Sequence, residues 1–175
     1  MLQEKRSTWR GFIRKIGMIG LTMLLLLPNM LMGPVSQVFA DVGDYEFLEN
    51  GETITITGCL GTDTDVEIPE KIQEKDVTVI ANQAFLVKKL EKVTIPRTVT
   101  TIEFAAFMGS ELEAVTFNEG LIEIGLMAFA GSKMENVDIP GTVTTIGQGA
   151  FSQGALSTLT LREGLKTIED KAFLG

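Results

Sequence analysis

Apolar side chains return every 22 residues along most of this chain, and mostly polar residues fill the intervals. The clearest marker is an Ala-Phe pair whose phenylalanine lies five residues after an isoleucine. The phenylalanines of these pairs are Phe85, Phe107, Phe129, Phe151 and Phe173. Further apolar columns keep the same spacing, and they begin at Val77, Ile80, Leu90, Val93 and Ile95. A period of this length is typical of a repeat architecture, in which one small structural unit is used several times.

Each unit contains two predicted strands joined by tight turns. In x-V-x-I, apolar and polar residues alternate, which indicates a strand with one buried face, and V-T-x-I is rich in β-branched residues that favour a pleated surface. Pro96 and Pro140 end the first strand in alternate units, because proline cannot continue the hydrogen-bond ladder. Asn118–Gly120 and Arg162–Gly164 fill the same corner in the other units, where the glycine is expected to adopt a positive φ. The Ala-Phe step then reverses the chain, with room for one helical turn.

A single 22-residue coil is too short to bury its own apolar residues, but stacked copies bury them against one another. Stacking turns each apolar column into a continuous ladder, and the spacing of paired strands sets a rise of about 4.8 Å per coil. The sequence therefore predicts a β-rich solenoid with coils of 22 residues, short parallel strands and tight turns. A right-handed coil with a true helix on its convex side is the alternative, although a coil of this length leaves little room for a helix.

A different pattern precedes the repeats. Asn50-Gly51 stands between two segments of alternating apolar residues, and it favours a β-hairpin with a type I′ turn, whose two central residues both need a positive φ. We therefore expect residues 41–65 to form an N-terminal β-hairpin cap over the open face of the first coil. The repeats are expected to occupy residues 66–175, with five additional residues within Lys71–Asp76 that form a polar loop.

Residues 1–40 have the pattern of a secretory signal peptide. Five basic residues precede an uncharged, mostly apolar stretch at 16–32, and a small-residue exit ends at Ala40. Cleavage is expected between Ala40 and Asp41. The alternative is a retained membrane anchor, because residues 16–40 are uncharged and long enough to cross a bilayer. In either case the remainder is predicted to be secreted or to lie on the extracellular cell surface, and to reach a membrane only through this segment.

Composition excludes several kinds of chemistry. After residue 40 the chain holds ten basic and 22 acidic residues, a net charge of −12, which disfavours nucleic acid because phosphate contacts need Lys and Arg. The absence of histidine from the sequence removes Ser-His and Cys-His nucleophile pairs and the commonest zinc ligand. Cys59 is the only cysteine, and no base is predicted beside it. Asp63 and Asp65 offer oxygen ligands for Ca²⁺, but no further spaced carboxylates follow, so a turn is expected there. We expect no enzyme activity and no cofactor.

The outward positions of the first strand in each coil are the best candidates for a binding surface. The polar residues at these positions are Lys92, Thr94, Thr116, Asn136, Asp138, Thr158 and Thr160. This face is poor in the Trp, Tyr and Arg side chains that dominate binding energy, so it offers no obvious anchor residue. Glu91, Glu113 and Glu135 form a neighbouring column, which either fans into solvent or presents a negative stripe to a basic partner or a cation.

The phrases LEKVTIPRTVTTIEFAAF, VDIPGTVTTIGQGAF and LREGLKTIEDKAF resemble the BspA-like leucine-rich repeats, a class of bacterial surface proteins. The resemblance covers roughly residues 44–175, and it makes the predicted coils leucine-rich-repeat-like. It implies export to the cell surface and binding to proteins of a host or a neighbouring cell, since some members are adhesins. The family often has a cysteine three residues after the phenylalanine, whereas this chain has Lys88, Ser110, Ser132 and Gly154 there. Packing at that corner is therefore expected to differ.

These observations predict a non-catalytic, secreted or cell-surface protein–protein interaction module, adhesin-like, whose partner is a protein of a host or a neighbouring cell. A structural spacer or stalk that presents another domain is the second hypothesis, and a carrier for an enzyme domain is the third. The chain stops after Phe173, partway through a coil, and leaves an unpaired strand edge at Leu165–Ile168. The last coil is therefore expected to be incomplete, and the chain to be a fragment of a longer protein or to be capped by something else.

Overall fold

The computed structural model describes residues 44–175. The predicted signal segment, with its cleavage point between Ala40 and Asp41, lies outside the described residues. The strands of the described part are β1 (Tyr45–Asn50), β2 (Thr53–Cys59), β3 (Asp65–Glu67), β4 (Lys71–Ile72), β5 (Lys75–Ile80), β6 (Lys92–Ile95), β7 (Thr101–Ile102), β8 (Ala114–Phe117), β9 (Glu123–Ile124), β10 (Asn136–Ile139), β11 (Thr145–Ile146), β12 (Thr158–Leu161) and β13 (Thr167–Ile168). No helix within residues 44–175 is long and apolar enough to span a membrane.

Two stacks of parallel strands run along the repeats. Pairings among the strands from β5 onward are offset by 22 residues, and β3 pairs with β6 at an offset of 27, five more than one repeat. The first stack contains β5, β7, β9, β11 and β13, and it aligns the isoleucine column Ile80, Ile102, Ile124, Ile146 and Ile168. On the other side of the coils, β3, β6 and β8 pair in register, and so do β10 and β12. One sequence repeat is therefore one coil, and the predicted solenoid of 22-residue coils with short parallel strands is confirmed.

Aromatic stacking runs through the centre of the array. Ring centroids of successive phenylalanines from Phe85 to Phe173 lie 4.8, 5.1, 5.3 and 5.4 Å apart, with interplanar angles of 12°, 4°, 6° and 6°. These distances are close to the spacing of about 4.8 Å between paired strands, so ring stacking and strand pairing share one repeat distance. The ring of Tyr45 meets the first ring edge-on at a centroid distance of 6.5 Å and extends the stack to the hairpin.

The predicted helical turn at Ala-Phe is wrong, and no helix occurs within residues 44–175, which also removes the alternative with a convex helix. The residue before each alanine has a left-handed backbone, with φ between 53° and 60°; these residues are Gln83, Ala105, Met127, Gly149 and Lys171. A left-handed residue interrupts a right-handed helical turn, so the chain bends sharply. Several backbone N–H groups at this bend donate hydrogen bonds to the next coil instead of to their own turn. For example, the Phe85 N–H donates to the Ala106 carbonyl at 2.8 Å.

Two buried serines occupy the corner three residues after the phenylalanine. Ser110 is 1% exposed, and its Oγ donates to the Phe107 carbonyl at 2.7 Å. Ser132 is 5% exposed at the equivalent position of the next coil. A buried hydroxyl needs a hydrogen-bond partner, and Ser110 finds one within its own turn. The corner is thus closed by a hydroxyl in the position where related repeats often have a thiol.

Glycine is required at the corner of the units that lack proline. Gly120 and Gly164 have φ values of 131° and 127°, so the predicted positive φ is confirmed. A Cβ at Gly120 would lie 2.0 Å from the carbonyl oxygen of Arg97, and one at Gly164 would lie 2.0 Å from that of Gly141. The backbone of one coil therefore passes directly against the preceding corner, where only a hydrogen atom fits.

The N-terminal hairpin forms, but its turn differs from the prediction. β1 and β2 pair antiparallel with Asn50 opposite Thr53, so the two-residue turn is Gly51-Glu52. Gly51 has a φ of 65° and Glu52 has no positive φ, which matches a type II′ turn and not a type I′ turn. β2 also pairs in parallel with β5 and so joins the hairpin to the first coil. The role of this hairpin as a terminal cap stays a prediction.

The predicted polar loop within Lys71–Asp76 is wrong, because these residues form a second small hairpin. β4 pairs antiparallel with the start of β5. Gln73 and Glu74 make the turn with φ values of 51° and 65°, the two positive values of a type I′ turn. Ile72 is only 3% exposed. The insertion therefore buries the side chain of Ile72. Because the residues around Ile72 are charged or polar, the sequence pattern did not predict this burial.

Phe129→Ala removes a fully buried ring that is stacked on both sides. We expect the free energy of unfolding to fall by about 3–5 kcal/mol, because a cavity remains in the stack. Thermal denaturation followed by circular dichroism measures the loss. Glu123→Ala, at an exposed position in the same coil, should barely move the melting temperature. An equal drop in both variants would contradict the structural role of the ring stack.

Glu74→Gly should stabilise the protein by about 1 kcal/mol, because a left-handed backbone costs a non-glycine residue roughly 1–2 kcal/mol and glycine loses part of that gain through the entropy of the unfolded chain. Glu52→Gly is the matched control, since Glu52 is also a glutamate in a hairpin turn but has no positive φ. Chemical denaturation of both variants gives the comparison. If Glu52→Gly stabilises as much as Glu74→Gly, relief of backbone strain is not the cause.

Candidate interaction surface

The seven residues predicted to face a partner lie on one side of the solenoid. Lys92 and Thr94 are on β6, Thr116 on β8, Asn136 and Asp138 on β10, and Thr158 and Thr160 on β12. Strand register aligns Thr94 with Thr116, Asn136 with Thr158, and Asp138 with Thr160. All seven are exposed except Thr94, which is half-buried. We call the solvent-facing positions of β6, β8, β10 and β12 the outer face; that it binds a partner stays a prediction.

The outer face is divided between β8 and β10, where no strand ladder joins the two neighbouring coils. At other coil boundaries a backbone bond leads into the ladder: Glu113 N–H donates to the Glu91 carbonyl at 2.9 Å, and Ser157 N–H to the Glu135 carbonyl at 2.8 Å. The equivalent bond from Glu135 to Glu113 is missing, although Lys133 N–H still donates to the Leu112 carbonyl at 2.8 Å. The hydrogen-bonded pairing of outer-face strands is therefore interrupted at this boundary.

Phe117 lies beside the interruption and distinguishes this coil from its neighbours. Its column holds Ile95, Ile139 and Leu161 in the other coils, so this coil alone carries an aromatic ring there. The ring packs edge-on against Phe129, with a centroid distance of 5.5 Å and an interplanar angle of 82°. A side chain that is larger than its neighbours in a packed column forces the backbone to shift, and the ladder opens directly beside it. The signal in the sequence is a single change of residue size within one column.

A cavity of about 390 Å³ lies in this opening, and we call it the β8–β10 cleft. Its floor is apolar and its rim is charged. The floor is formed by Val115, Phe117 and Pro140, and the rim by Glu119, Asp138 and Arg162. Val115 and Phe117 are half-buried, whereas Val93 and Ile95, their equivalents in the preceding coil, are 2% and 0% exposed. The cleft therefore exposes core residues that the other described coils on either side of it keep covered.

Arg162 connects three coils across the rim of the cleft. Its guanidinium donates to both carboxylate oxygens of Asp138, at 2.6 Å from Nη2 and 3.2 Å from Nε, and to Oε1 of Glu119 at 3.3 Å from Nη1. The hydrogen bonds to Asp138 raise the pKa of Arg162 above its ordinary value, so the guanidinium stays charged. All three side chains are about half exposed, so we expect this network to position the carboxylates more than to stabilise the fold.

Arg162 is a functional candidate that the sequence did not reveal, although Arg is one of the side chains enriched in binding hot spots. It takes the corner position that proline occupies at Pro96 and Pro140. Asp138, which was predicted to face a partner, lies 24 residues earlier, one coil and two positions away. This offset places Asp138, an outward residue of its strand, beside the corner of the next coil that Arg162 occupies. The offset is the sequence signal that would have predicted the Asp138–Arg162 ion pair.

Carboxylates also line the other end of the opening between β8 and β10. Glu113 and Glu135 border a second, open cavity of about 570 Å³ together with Lys133. Lys133 pairs with Glu111 at 3.3 Å. Neither Glu113 nor Glu135 has an ion-pair partner among residues 44–175, so the acidic column predicted beside the outer face is exposed here and gives this end of the opening a negative charge.

A separate cavity of about 230 Å³ lies at the N-terminal hairpin, beside Tyr45 and Cys59. The Tyr45 hydroxyl donates to the Glu67 carbonyl at 3.2 Å. Burial raises the pKa of Cys59, which disfavours the thiolate that nucleophilic chemistry requires. Asp65 is one of the two aspartates that were considered as calcium ligands. Its Oδ2 instead lies 3.7 Å from Nζ of Lys92. Within residues 44–175 no three carboxylate or thiol side chains converge as a metal site.

Comparison of the sequence with protein families gives one match that covers more than half of the chain. The family model of the BspA type leucine rich repeat region (6 copies) matches residues 78–175. The match includes every strand from β6 to β13. No protein with a curated functional description matches the chain in sequence.

Solved structures of similar fold come from several bacteria. A leucine-rich repeat protein from Bacteroides capillosus is 31% identical with a TM-score of 0.64, and the match covers 70% of this chain and 97% of that one. The leucine rich repeat protein of T. pallidum is 30% identical with a TM-score of 0.71, over 74% and 64% of the two chains. A leucine rich cell surface protein from Faecalibacterium prausnitzii is 29% identical with a TM-score of 0.59, over 78% of this chain and 46% of that protein. The chain therefore spans less than half the length of this last relative.

Tyr45 is the only tyrosine of the chain, so the ultraviolet absorbance of phenolate reports its titration alone. Burial, reinforced by Cys59 and by the charges of Asp44 and Asp63, raises the pKa of Tyr45 to about 12. Because the fold holds the neutral phenol, its contribution to stability is complete below about pH 10 and is lost as the pH rises from about 10 to about 12. The folded protein should titrate at about 12 and urea-unfolded protein near 10. A midpoint near 10 in the folded protein would contradict the burial of this side chain.

Proposed function

Because the chain belongs to the BspA-type leucine-rich repeat family, we propose that it is a non-catalytic, secreted or cell-surface module that binds a protein partner, in the manner of an adhesin. Members of this family generally serve protein–protein interaction and are generally not enzymes. The observation that carries the proposal is the outer face, where register aligns exposed or half-exposed polar residues across β6 and β8 and across β10 and β12 on a stack of coils. Such a regular surface suits recognition of another macromolecule.

The negative charge of the chain indicates which class of partner it would bind. The chain after residue 40 has a net charge of −12, and the carboxylates of Glu113 and Glu135 lie beside the outer face. Basic protein surfaces are attracted by such a field, whereas nucleic acid and anionic lipid are repelled. A protein on a host or neighbouring cell is the partner that fits this charge, and membrane contact is proposed only through the N-terminal segment.

The proposed location rests on the N-terminal pattern and on the relatives. Residues 1–40 have the charge and size pattern of a signal peptide or a retained anchor, residues 41–65 are proposed as the cap, and residues 66–175 as the repeats. BspA-like repeats are a class of bacterial surface proteins, and the relative from Faecalibacterium prausnitzii is a leucine rich cell surface protein. Both lines support the proposal that this chain is exported to the cell surface or the medium.

A spacer or stalk is the second candidate function. It is favoured by the linear stacking of coils, in which each coil contacts only its neighbours. It is also favoured by the cell surface relative from Faecalibacterium prausnitzii, of which the matched region is 46% and the remainder is other chain. A stalk needs no saturable partner, and this difference separates the two candidates.

Binding of the full chain to a panel of immobilised matrix and bacterial surface proteins tests the proposal. We expect saturable binding that weakens about tenfold in a Thr158→Lys/Thr160→Lys variant, because two long cationic side chains obstruct the outer face. The matched control is Thr145→Lys/Thr167→Lys, which places the same side chains on β11 and β13 of the opposite stack, and it should change affinity by less than about twofold. The absence of any saturable partner would favour the stalk.

A further inference from the structure

The boundary between β8 and β10 is the one interior coil boundary of the described outer face where backbone and core are both open, apart from the free edge of β12 at the end of the array. The edges of β8 and β10 that face each other form no ladder, so backbone N–H and C=O groups there have no ladder partner of their own. The two strands still lie next to each other, so a partner segment would approach these groups from the outer face and not as a strand inserted between the coils.

The floor of the β8–β10 cleft favours an apolar side chain. Val115 and Phe117 are half-buried, whereas Val137 and Ile139, their equivalents on the other side of the opening, are 3% and 1% exposed. The cleft has a volume of about 390 Å³ and is open to solvent on its outer side, so a side chain can enter it from a partner. Filling the cleft would return this part of the core to the burial that the adjacent coils have, with the gain expected from removal of apolar surface from water.

The rim favours positive charge next to that apolar side chain. Glu119 and Asp138 share the single cation Arg162, and Glu113 and Glu135 stand at the other end of the opening. Four carboxylates therefore surround the opening, and the nearby cations are Arg162 and Lys133, of which Lys133 pairs with Glu111. An acidic segment would be repelled here, and a basic segment would be attracted.

We propose that the β8–β10 cleft is the docking site for a partner protein's extended segment in which a bulky apolar side chain is flanked by lysine or arginine. The inference rests on the proposed function and specifies the chemistry of the partner. The apolar side chain lies on Val115 and Phe117, and its basic neighbours reach Glu119 and Asp138 on one side and Glu113 and Glu135 on the other. Arg162 holds Asp138 and Glu119 in position for this contact.

Titration of the full chain with fluorescein-labelled KKFKK peptide, followed by fluorescence anisotropy, tests the docking site. The comparison peptides are KKAKK, which lacks the bulky apolar side chain, and EEFEE, which reverses the charge. We expect KKFKK to bind about tenfold more tightly than either. Equal affinity for KKFKK and KKAKK would overturn the proposal, because it would show that charge attraction alone accounts for binding.

Two threonine-to-lysine changes provide the matched variants. Thr116→Lys places a cation at the mouth of the cleft, and Thr145→Lys adds the same charge on β11 of the opposite stack. Thr116→Lys should weaken KKFKK binding about tenfold and Thr145→Lys less than about twofold. Similar losses in both variants would overturn the location, since a diffuse electrostatic effect does not distinguish the two stacks.

Phe117→Ile tests the origin of the cleft independently. It restores the residue type that Ile95 and Ile139 provide in the adjacent coils, so the fold should persist while the opening narrows. KKFKK affinity should fall about tenfold, and circular dichroism checks that the coils remain folded. Unchanged affinity would remove the cleft as the site. If the protein panel yields a partner but KKFKK shows no preference, the docking site fails while the proposed function stands.

Discussion

A coil of 22 residues has no interior of its own, and the apolar side chains that form its core are buried by the coil before it or after it. The match between two distances makes this arrangement work: phenylalanine rings stack at 4.8 to 5.4 Å, and paired strands lie about 4.8 Å apart. Because the two spacings agree, strand pairing and ring stacking reinforce each other at every step. Corners, glycines and the left-handed residues before Ala-Phe all serve to bring the chain back into this register.

The period made the architecture predictable from sequence, because a residue type that recurs at a fixed interval must occupy a fixed place in the coil. The columns, the parallel strands and the positive φ of Gly120 and Gly164 all follow from it. The backbone conformation before Ala-Phe could not be predicted from the period. Left-handed positions usually favour glycine, but here they are occupied by residues such as Gln83 and Lys171. There, bonds to the next coil override local propensity.

The candidate site was less predictable than the fold, and for a related reason. Reasoning from a repeat averages over its copies, so it finds the outward positions that all coils share. The β8–β10 cleft arises from a departure in one copy, Phe117 in a column of isoleucine and leucine. Its charged rim depends on Arg162 reaching back over Asp138, a contact between unlike positions of different coils. Recognition in a repeat array is therefore expected where the copies differ, whereas stability comes from where they agree.

The serine corner has a consequence for the environments in which this array keeps its structure. Ser110 closes its turn with a hydroxyl that donates to the Phe107 carbonyl at 2.7 Å, and a hydroxyl is inert to the oxidants that convert a thiol to sulfenic acid or a disulfide. A thiol column would make the contact between coils depend on redox potential. With serine at Ser110 and Ser132, neither corner carries a thiol that oxidation could alter, and the hydrogen bond of Ser110 is the same in oxidising and in reducing surroundings.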